Sequence, residues 1–304
     1  MNNQAPPEEY ETKCGFVAIV GLPNAGKSTL TNALVGSKIS IVSKKVQTTR
    51  TRIMGILTQD QNQIILVDTP GVFRPKKTLE KAMVKAAWDA LPDADVVIHL
   101  IDATAKNVVE NNKMIIERLS KKAKCLLVLN KVDKVNKPEL LALATALNEE
   151  FDYDATFMIS SLKHQGLDQM LAEIGKHIPN GPWMFEEDQI TDMPMRMMAS
   201  EITREKVFEQ LHQELPYEIM IETESWETFD NGSVKISQII YVQQDSQKGI
   251  VVGKGGSRIK RIGEAARLEI QELFDMRVHL KLHAKVQENW AERAENYRLM
   301  GLDF

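Results

Sequence analysis

The stretch Phe16-Val17-Ala18-Ile19-Val20-Gly21-Leu22-Pro23-Asn24-Ala25-Gly26-Lys27-Ser28-Thr29 decides the fold. Five apolar residues in a row suit a strand buried on both faces, and the run stops at Gly21. Gly21 to Ser28 then fits G-x-x-x-x-G-K-[ST], and the pattern predicts a helix from Lys27. The two glycines let the backbone curl, so that successive N–H groups point inward at phosphate oxygens. The helix start adds its positive dipole end. Lys27 brings a full charge to the outer phosphates and Ser28 a hydroxyl ligand for Mg2+. That ion keeps few protein ligands and takes the rest from water and phosphate.

Working outward, similar apolar runs recur at 63–67, 95–101, 125–129 and 156–159. Helical patterns lie between them at 27–35, 79–90, 110–120, 138–151 and 166–177. Such alternation predicts an α/β domain with a mostly parallel, doubly wound sheet over residues 14–178. The length of 304 residues suits about two domains. Composition is that of a globular protein, 43% hydrophobic and 26% charged, which excludes disorder as the main state. Only two cysteines, Cys14 and Cys125, suggest a reducing compartment and buried thiols. No apolar run reaches the roughly 18 residues of a membrane span. Residues 1–13 read as a short disordered lead and match neither a signal peptide nor a presequence. The net charge of −4, taken alone, argues against a nucleic-acid binder.

Three further motifs follow strands. Asp68-Thr69-Pro70-Gly71 places an acid at a strand tip, the expected Mg2+ partner through water, and a Gly71 N–H that can report a terminal phosphate. Asn130-Lys131-Val132-Asp133 separates guanine from adenine. The Asp133 carboxylate accepts from guanine N1–H and N2–H2, and adenine has neither donor there. Asn130 and the Lys131 stem would fix the base, and the Ser160-Ser161 backbone would cap guanine O6. On its own the serine pair reads equally as a helix N-cap. An ATP-dependent P-loop kinase is disfavoured by the Asn130–Asp133 motif.

Ile178-Pro179-Asn180-Gly181-Pro182 breaks the last helix, and residues 179–197 read as an acidic linker. A smaller α+β domain is expected over 198–304. It should hold a helix near 200–212, strands at 218–227 and 233–243 joined by Asp230-Asn231-Gly232, a helix at 257–274, a strand at 277–286 and a final helix.

These four motifs, in this order and spacing, resemble a TRAFAC-class GTPase. Gln47-Thr48-Thr49-Arg50 and Val72 after the Asp68–Gly71 motif make the match closer to the Era subfamily of bacterial ribosome-assembly GTPases. Val251-Val252-Gly253-Lys254-Gly255-Gly256-Ser257-Arg258-Ile259-Lys260 resembles the GXXG region of a type II KH domain, as does the order helix–strand–strand–helix–helix–strand. The resemblance covers almost the whole chain, with Trp290 in its terminal helix.

That resemblance implies a switch protein that binds GTP, hydrolyses it to GDP with Mg2+, and binds the 3′ end of 16S rRNA during maturation of the 30S subunit. It implies that Thr48 or Thr49 reaches Mg2+, with Thr49, beside Arg50, favoured. It implies a potassium ion at Asn24, which would add charge where an arginine finger otherwise acts. A turn residue is the other reading of Asn24. Val72 stands where Ras-like chains carry a catalytic Gln, so slow turnover is expected and no catalytic base is named. GXXG loops clamp about four nucleotides of a single strand. The expected RNA contacts are Lys248, Ile250, Gly253, Lys254, Gly255, Gly256, Arg258, Ile259 and Arg261. Ile250, Val252, Ile259 and Ile262 either floor the groove or pack the core. Residues 248–285 hold nine Lys/Arg against four Asp/Glu, a local +5 that the total charge hides. A monomer acting in the cytoplasm is expected. The alternative is a cell-cycle signalling GTPase peripheral to the inner face of the cell membrane, although the chain has no lipidation signal.

Overall fold

The computed structural model describes residues 11–43, 45, 48–120, 122–211, 215–293, 296, 297 and 302. Most of the lead, and Gln47 of the Gln47-Thr48-Thr49-Arg50 motif, lie outside them. Two compact units share the chain, and neither is one continuous stretch. The first takes residues up to 37, 54–69 and 89–192; the second takes 38–53, 70–88 and 193 onward.

In chain order the elements are β1 (Lys13–Val20), α1 (Lys27–Val35), β2 (Ile53–Gln59), β3 (Asn62–Asp68), α2 (Thr78–Asp89), β4 (Val96–Asp102), α3 (Val108–Ile116), β5 (Lys124–Asn130), α4 (Lys137–Glu150), β6 (Ala155–Met158) and α5 (Leu167–His177). There follow α6 (Met195–Gln210), β7 (Met220–Thr228), β8 (Val234–Val242), α7 (Asp245–Val252), α8 (Ser257–Phe274) and β9 (Val278–Val286).

The first unit is built on a six-stranded sheet in the order β2-β3-β1-β4-β5-β6. β1 pairs in parallel with β3 and β4, β4 with β5, and β5 with β6. Val17, Ile19, Leu66, Ile98, Leu100, Leu126 and Val128 form its core with Leu30 of α1 and Met170 and Ile174 of α5. These are the continuous apolar runs seen in sequence, covered by helices because both sheet faces are apolar. With β1 between β3 and β4, the strand order reverses beside β1, and ligands of open α/β sheets bind outside the C-terminal strand ends at such a point.

Strand β2 was not expected. Its two-residue link to β3, Asp60-Gln61, carries positive φ at Asp60 (53°) rather than at a glycine, so the usual hairpin signal is missing. Residues 180–191, expected as linker, are fastened to the first unit. Ile56 N donates to Ile190 O at 2.9 Å, and the buried Gln63 carboxamide oxygen accepts from Met184 N and Phe185 N at 2.8 and 3.0 Å. A buried amide needs its partners, and backbone groups of this acidic stretch supply them.

The second unit holds a three-stranded sheet, β7-β8-β9, antiparallel between β7 and β8 and parallel between β8 and β9. Val207, Ile240, Val242, Val251 and Ile262 make one core under α6, α7 and α8. A second core joins Leu79, Ala82 and Met83 of α2 to Met220, Trp290 and Tyr297. Helix α6 starts five residues before the expected Ser200, because Pro194 lacks an N–H and sits well ahead of a first helical turn. Trp290 opens a three-residue 3-10 turn rather than a helix; of the residues after 293, only 296, 297 and 302 are described.

Candidate nucleotide site and nucleic-acid interface

The expected phosphate loop leaves β1 at its C-terminal end and enters α1. Gly26 has φ of 100°, and a Cβ there would stand 2.4 Å from Asn130 Nδ2. Both the backbone and the space therefore demand glycine. No side chain caps α1 and no acid lies in its first turn, so its positive dipole end meets no opposing charge there. Lys27 is buried, and its ammonium donates to the carbonyls of Gly21 and Leu22, both at 3.1 Å. Burial lowers its pKa to about 8, against the opposing charge of Asp68. Asp68 is fully buried at the end of β3, and the adjacent Thr69 hydroxyl donates to Ile19 O at 2.7 Å. A lysine held at this cost and a glycine cradle fit a polyphosphate. Among the described residues no cluster of His, Cys, Asp or Glu could hold a metal by itself. The Ser28 hydroxyl with Asp68 nearby in the fold suits Mg2+, which draws its remaining ligands from phosphate and water.

Asn130 ties three loops together. Its Nδ2 donates to Ala25 O at 2.9 Å, while its Oδ1 accepts from Lys131 N (2.8 Å), Ser161 N (3.0 Å) and Ser161 Oγ (3.0 Å). Lys131 adopts left-handed φ of 64° and sends its ammonium to Asn24 O at 2.7 Å and to Asp102 at 2.5 Å. Burial pulls the Asp102 carboxyl upward, but its bonds from Lys131 and Thr104 prevail and hold it below the ordinary carboxylate range. Asp133 accepts from Ser160 Oγ at 2.7 Å and faces Lys163 at 3.4 Å. The Ser160 hydroxyl is the main reason that this carboxyl is held low. The first unit thus brings Gly21–Thr29, Asp68, Thr69, Asn130, Lys131, Asp133, Ser160 and Ser161 into one shell. Asp102 and Lys163 were missed from sequence; Asp102 ends an apolar strand beside β5, and that placement was the available signal.

Thr48, Thr49, Pro70, Gly71 and Val72 belong to the second unit. Thr49, Arg50 and Val72 are buried there. Arg204 of α6 donates to Thr48 O at 2.6 Å, and Arg50 donates to Ile219 O at 2.6 Å and Tyr217 O at 2.9 Å. Arg50 also lies over the Trp290 ring, 5.8 Å from its centroid. Lys38 is bound by Glu205 at 2.5 Å and by Glu269 of α8, and Lys206 joins Glu269 at 2.6 Å. Residues 38–53 and 70–88 are therefore packed within the unit that carries the glycine loop. Nothing in the spacing of Arg204, Glu205 or Glu269 singled them out in sequence.

The glycine loop joins α7 to α8. A Cβ at Gly253 would lie 2.8 Å from Arg258 Cβ, and Gly253 has φ of 73°. Gly255 and Gly256 also have positive φ, of 58° and 77°, with open space about them. Lys254 and Arg261 are exposed, and Ile250 is 47% exposed. Arg258 donates to Ile250 O at 2.6 Å and so closes the loop. Ile262 is core, while Ile259 and Val252 are half-buried.

A phosphate loop, an Asn-Lys-x-Asp motif held against it and a glycine-loop helix pair define a GTPase joined to a KH domain. Comparison with known proteins agrees: residues 16–131 match the family described as 50S ribosome-binding GTPase, and residues 214–291 match the KH domain. Over 310 aligned residues the chain is 51% identical to GTPase Era of Brucella suis biovar 1, covering 100% of this chain and 99% of that one. It is 50% identical to GTPase Era of Afipia carboxidovorans, with the same coverage. The chain belongs to the Era family of GTPases. Among solved structures, Era in complex with MgGDPNP and nucleotides 1506-1542 of 16S ribosomal RNA superposes with a TM-score of 0.91 at 37% identity, covering 96% of this chain and 99% of that one. A single-substitution variant of Aquifex aeolicus Era bound to GDP.AlF4- gives 0.89 at 38% identity, covering 95% of this chain and 99% of that one.

Proposed function

We propose that this protein is a GTP-hydrolysing switch that binds the 3′ end of 16S rRNA and assists maturation of the 30S subunit, acting in the cytoplasm as a monomer. The observation that carries the nucleotide half is Asn130, which locks the phosphate loop, the base-reading loop and the Ser160-Ser161 loop to one side chain. Asp133 reads guanine, Lys27 meets the outer phosphates, and Ser28 and Thr49 provide hydroxyls for Mg2+, with Asp68 acting through water. Bound Mg2+ supplies charge neutralisation at the phosphates. Asn24 holds a potassium ion that supplies further charge. Val72 cannot orient water, so turnover is slow. Lys248, Lys254 and Arg261 meet RNA phosphates beside the glycine loop.

The loops expected to switch with nucleotide, 38–52 and 72–78, share a unit with the glycine loop, which supports a link between nucleotide state and RNA grip. RNA crosslinking with GTP, with GDP and with neither tests this. Crosslinks at 248–261 that differ between the nucleotide states are expected; equal yields in all three remove the coupling. No helix among the described residues is long and apolar enough to cross a membrane. Flotation with liposomes tests the membrane-surface alternative.

A further inference from the structure

We propose that the open face of the three-stranded sheet carries an RNA strand along β9, beyond the nucleotides held at the glycine loop; this rests on the RNA-binding reading above. Strand β9 alternates cleanly. Leu280, Leu282, Ala284 and Val286 turn toward the helices, while His279, Lys281, His283 and Lys285 are all exposed. Among the described residues none of these four is ion-paired with a carboxylate. Alternate residues on a strand are about 7 Å apart, comparable to the step between phosphates of an unstacked strand. At one end of the row Phe229, 43% exposed, meets the His279 ring edge-on, with centroids 6.4 Å apart. An exposed aromatic pair leading into a row that holds Lys281 and Lys285 is what single-strand binders use: a stacking platform for a base, then charges that track the backbone.

The rest of the face limits the occupant. Lys235, which neighbours His279 across the β8–β9 register, is already paired with Glu227 at 2.8 Å. Tyr241, beside Lys285, donates to Glu222 at 2.9 Å. The face therefore turns acidic toward β7, and its cationic part is one strand wide. A broad anionic lipid surface would meet Glu222 and Glu227 as well; a single polyanionic strand following β9 avoids them.

The test uses the full chain, fluorescence anisotropy, and two labelled single-stranded RNAs, one of about four nucleotides and one of about twenty. Lys281→Gln with Lys285→Gln is expected to leave the short RNA unaffected and weaken the long one roughly tenfold, with a salt slope shallower by about 1.4. Phe229→Ala should weaken the long RNA about fivefold or more. Lys254→Asp with Gly255→Asp should weaken both RNAs. Unchanged affinity and slope for the long RNA in the Lys281→Gln, Lys285→Gln variant overturns the proposal, and loss at the glycine-loop variant in the same experiment shows that the RNA-binding reading survives it. Wild-type protein that binds neither RNA removes both. A β9 variant that loses binding only to phosphatidylglycerol vesicles also overturns it, in favour of a membrane. Melting curves confirm that these exposed substitutions leave the fold intact.

Discussion

The carboxylate of Glu205 on α6 accepts a hydrogen bond from the backbone N–H of Val42 at 2.8 Å. Its other oxygen holds Lys38 at 2.5 Å and Lys206 at 3.2 Å, in a site where Glu205 itself is 3% exposed. One side chain thus fixes both the backbone and a side chain of the stretch that leads to Thr48 and Thr49. Glu205→Ala should destabilise the protein by about 2–3 kcal/mol. That is less than the ~3–5 of a fully buried pair, because Lys38 and Lys206 keep Glu269. Glu205→Gln retains an acceptor for Val42 and should cost less. Urea unfolding of both variants, with Lys38→Met for a double-mutant cycle, measures this; equal costs for Ala and Gln would mean that the Val42 bond contributes nothing.

Asp133 sits low in pKa with Ser160 and Lys163 behind it, so it is an acceptor at every pH of interest. Asp133→Asn puts an amide donor opposite guanine N1–H and should weaken GTP binding roughly a hundredfold or more while admitting xanthosine triphosphate. Competition between the two nucleotides on wild type and variant gives the ratio. A variant that still prefers GTP would place base recognition elsewhere.

The parallel sheet was legible because β1, β4 and β5 are buried on both faces, which writes them as unbroken apolar runs. The placement of the four motifs was legible because each follows an apolar strand, at whose end the structure sets it. Strand β2 was hidden by a turn with Asp60 in place of glycine. The fastening of 180–191 was hidden because it uses backbone groups against Gln63, and backbone bonds leave no residue signature. Arg204 and Glu205 were hidden for another reason. On a helix they read as an ordinary solvated charge pair, and only the fold puts Thr48 O and Val42 N within their reach. The noncontiguous units have the same origin, since chain order says nothing of where a long loop packs.

His99 on β4 is fully buried. Its Nδ1 meets Tyr153 OH at 2.7 Å and its Nε2 meets Asn112 Oδ1 at 3.1 Å. Asn112 Nδ2 donates to Val108 O, which fixes the amide orientation, so His99 carries its proton on Nε2 and Tyr153 donates to Nδ1. Burial lowers its pKa from 6.5 to about 4. The unfolded chain binds the proton first as pH falls, so stability that is complete above pH ~6.5 should decline by about 3 kcal/mol toward pH ~4. Urea unfolding at a series of pH values, against His99→Gln, isolates this group. Parallel pH profiles would show that His99 is not its source.

Asn24 has φ of 64°, a left-handed conformation that asparagine tolerates, and its carbonyl accepts from Lys131 at 2.7 Å. Its place in the loop therefore has a structural account through the main chain, and a potassium role must rest on the side chain. If the side chain holds potassium, Asn24→Ala should keep GTP affinity within a few-fold and lose most of the potassium stimulation of turnover, roughly tenfold or more. Turnover in potassium and sodium buffers for both proteins checks it. Equal wild-type rates in the two salts would eliminate the ion.

Lys27 offers a readout of phosphate binding without turnover. The residue is 6% exposed and its pKa is lowered to about 8 by burial, whereas in the unfolded chain it would titrate near 10.5. Below pH ~8 both states are charged and the nucleotide-free fold bears the full cost of burial, about 3 kcal/mol. As pH rises from ~8 toward 10.5, the folded state releases its proton first, so stability should increase relative to Lys27→Met. A bound polyphosphate adds negative charge to that of Asp68 and should raise the Lys27 pKa, so nucleotide binding near pH ~9 should take up a proton. Calorimetry of GDP binding in two buffers of different ionisation enthalpy counts that proton. An uptake near zero at pH ~9 would mean that Lys27 is already charged in the free protein, and the predicted gain in stability should then be absent as well.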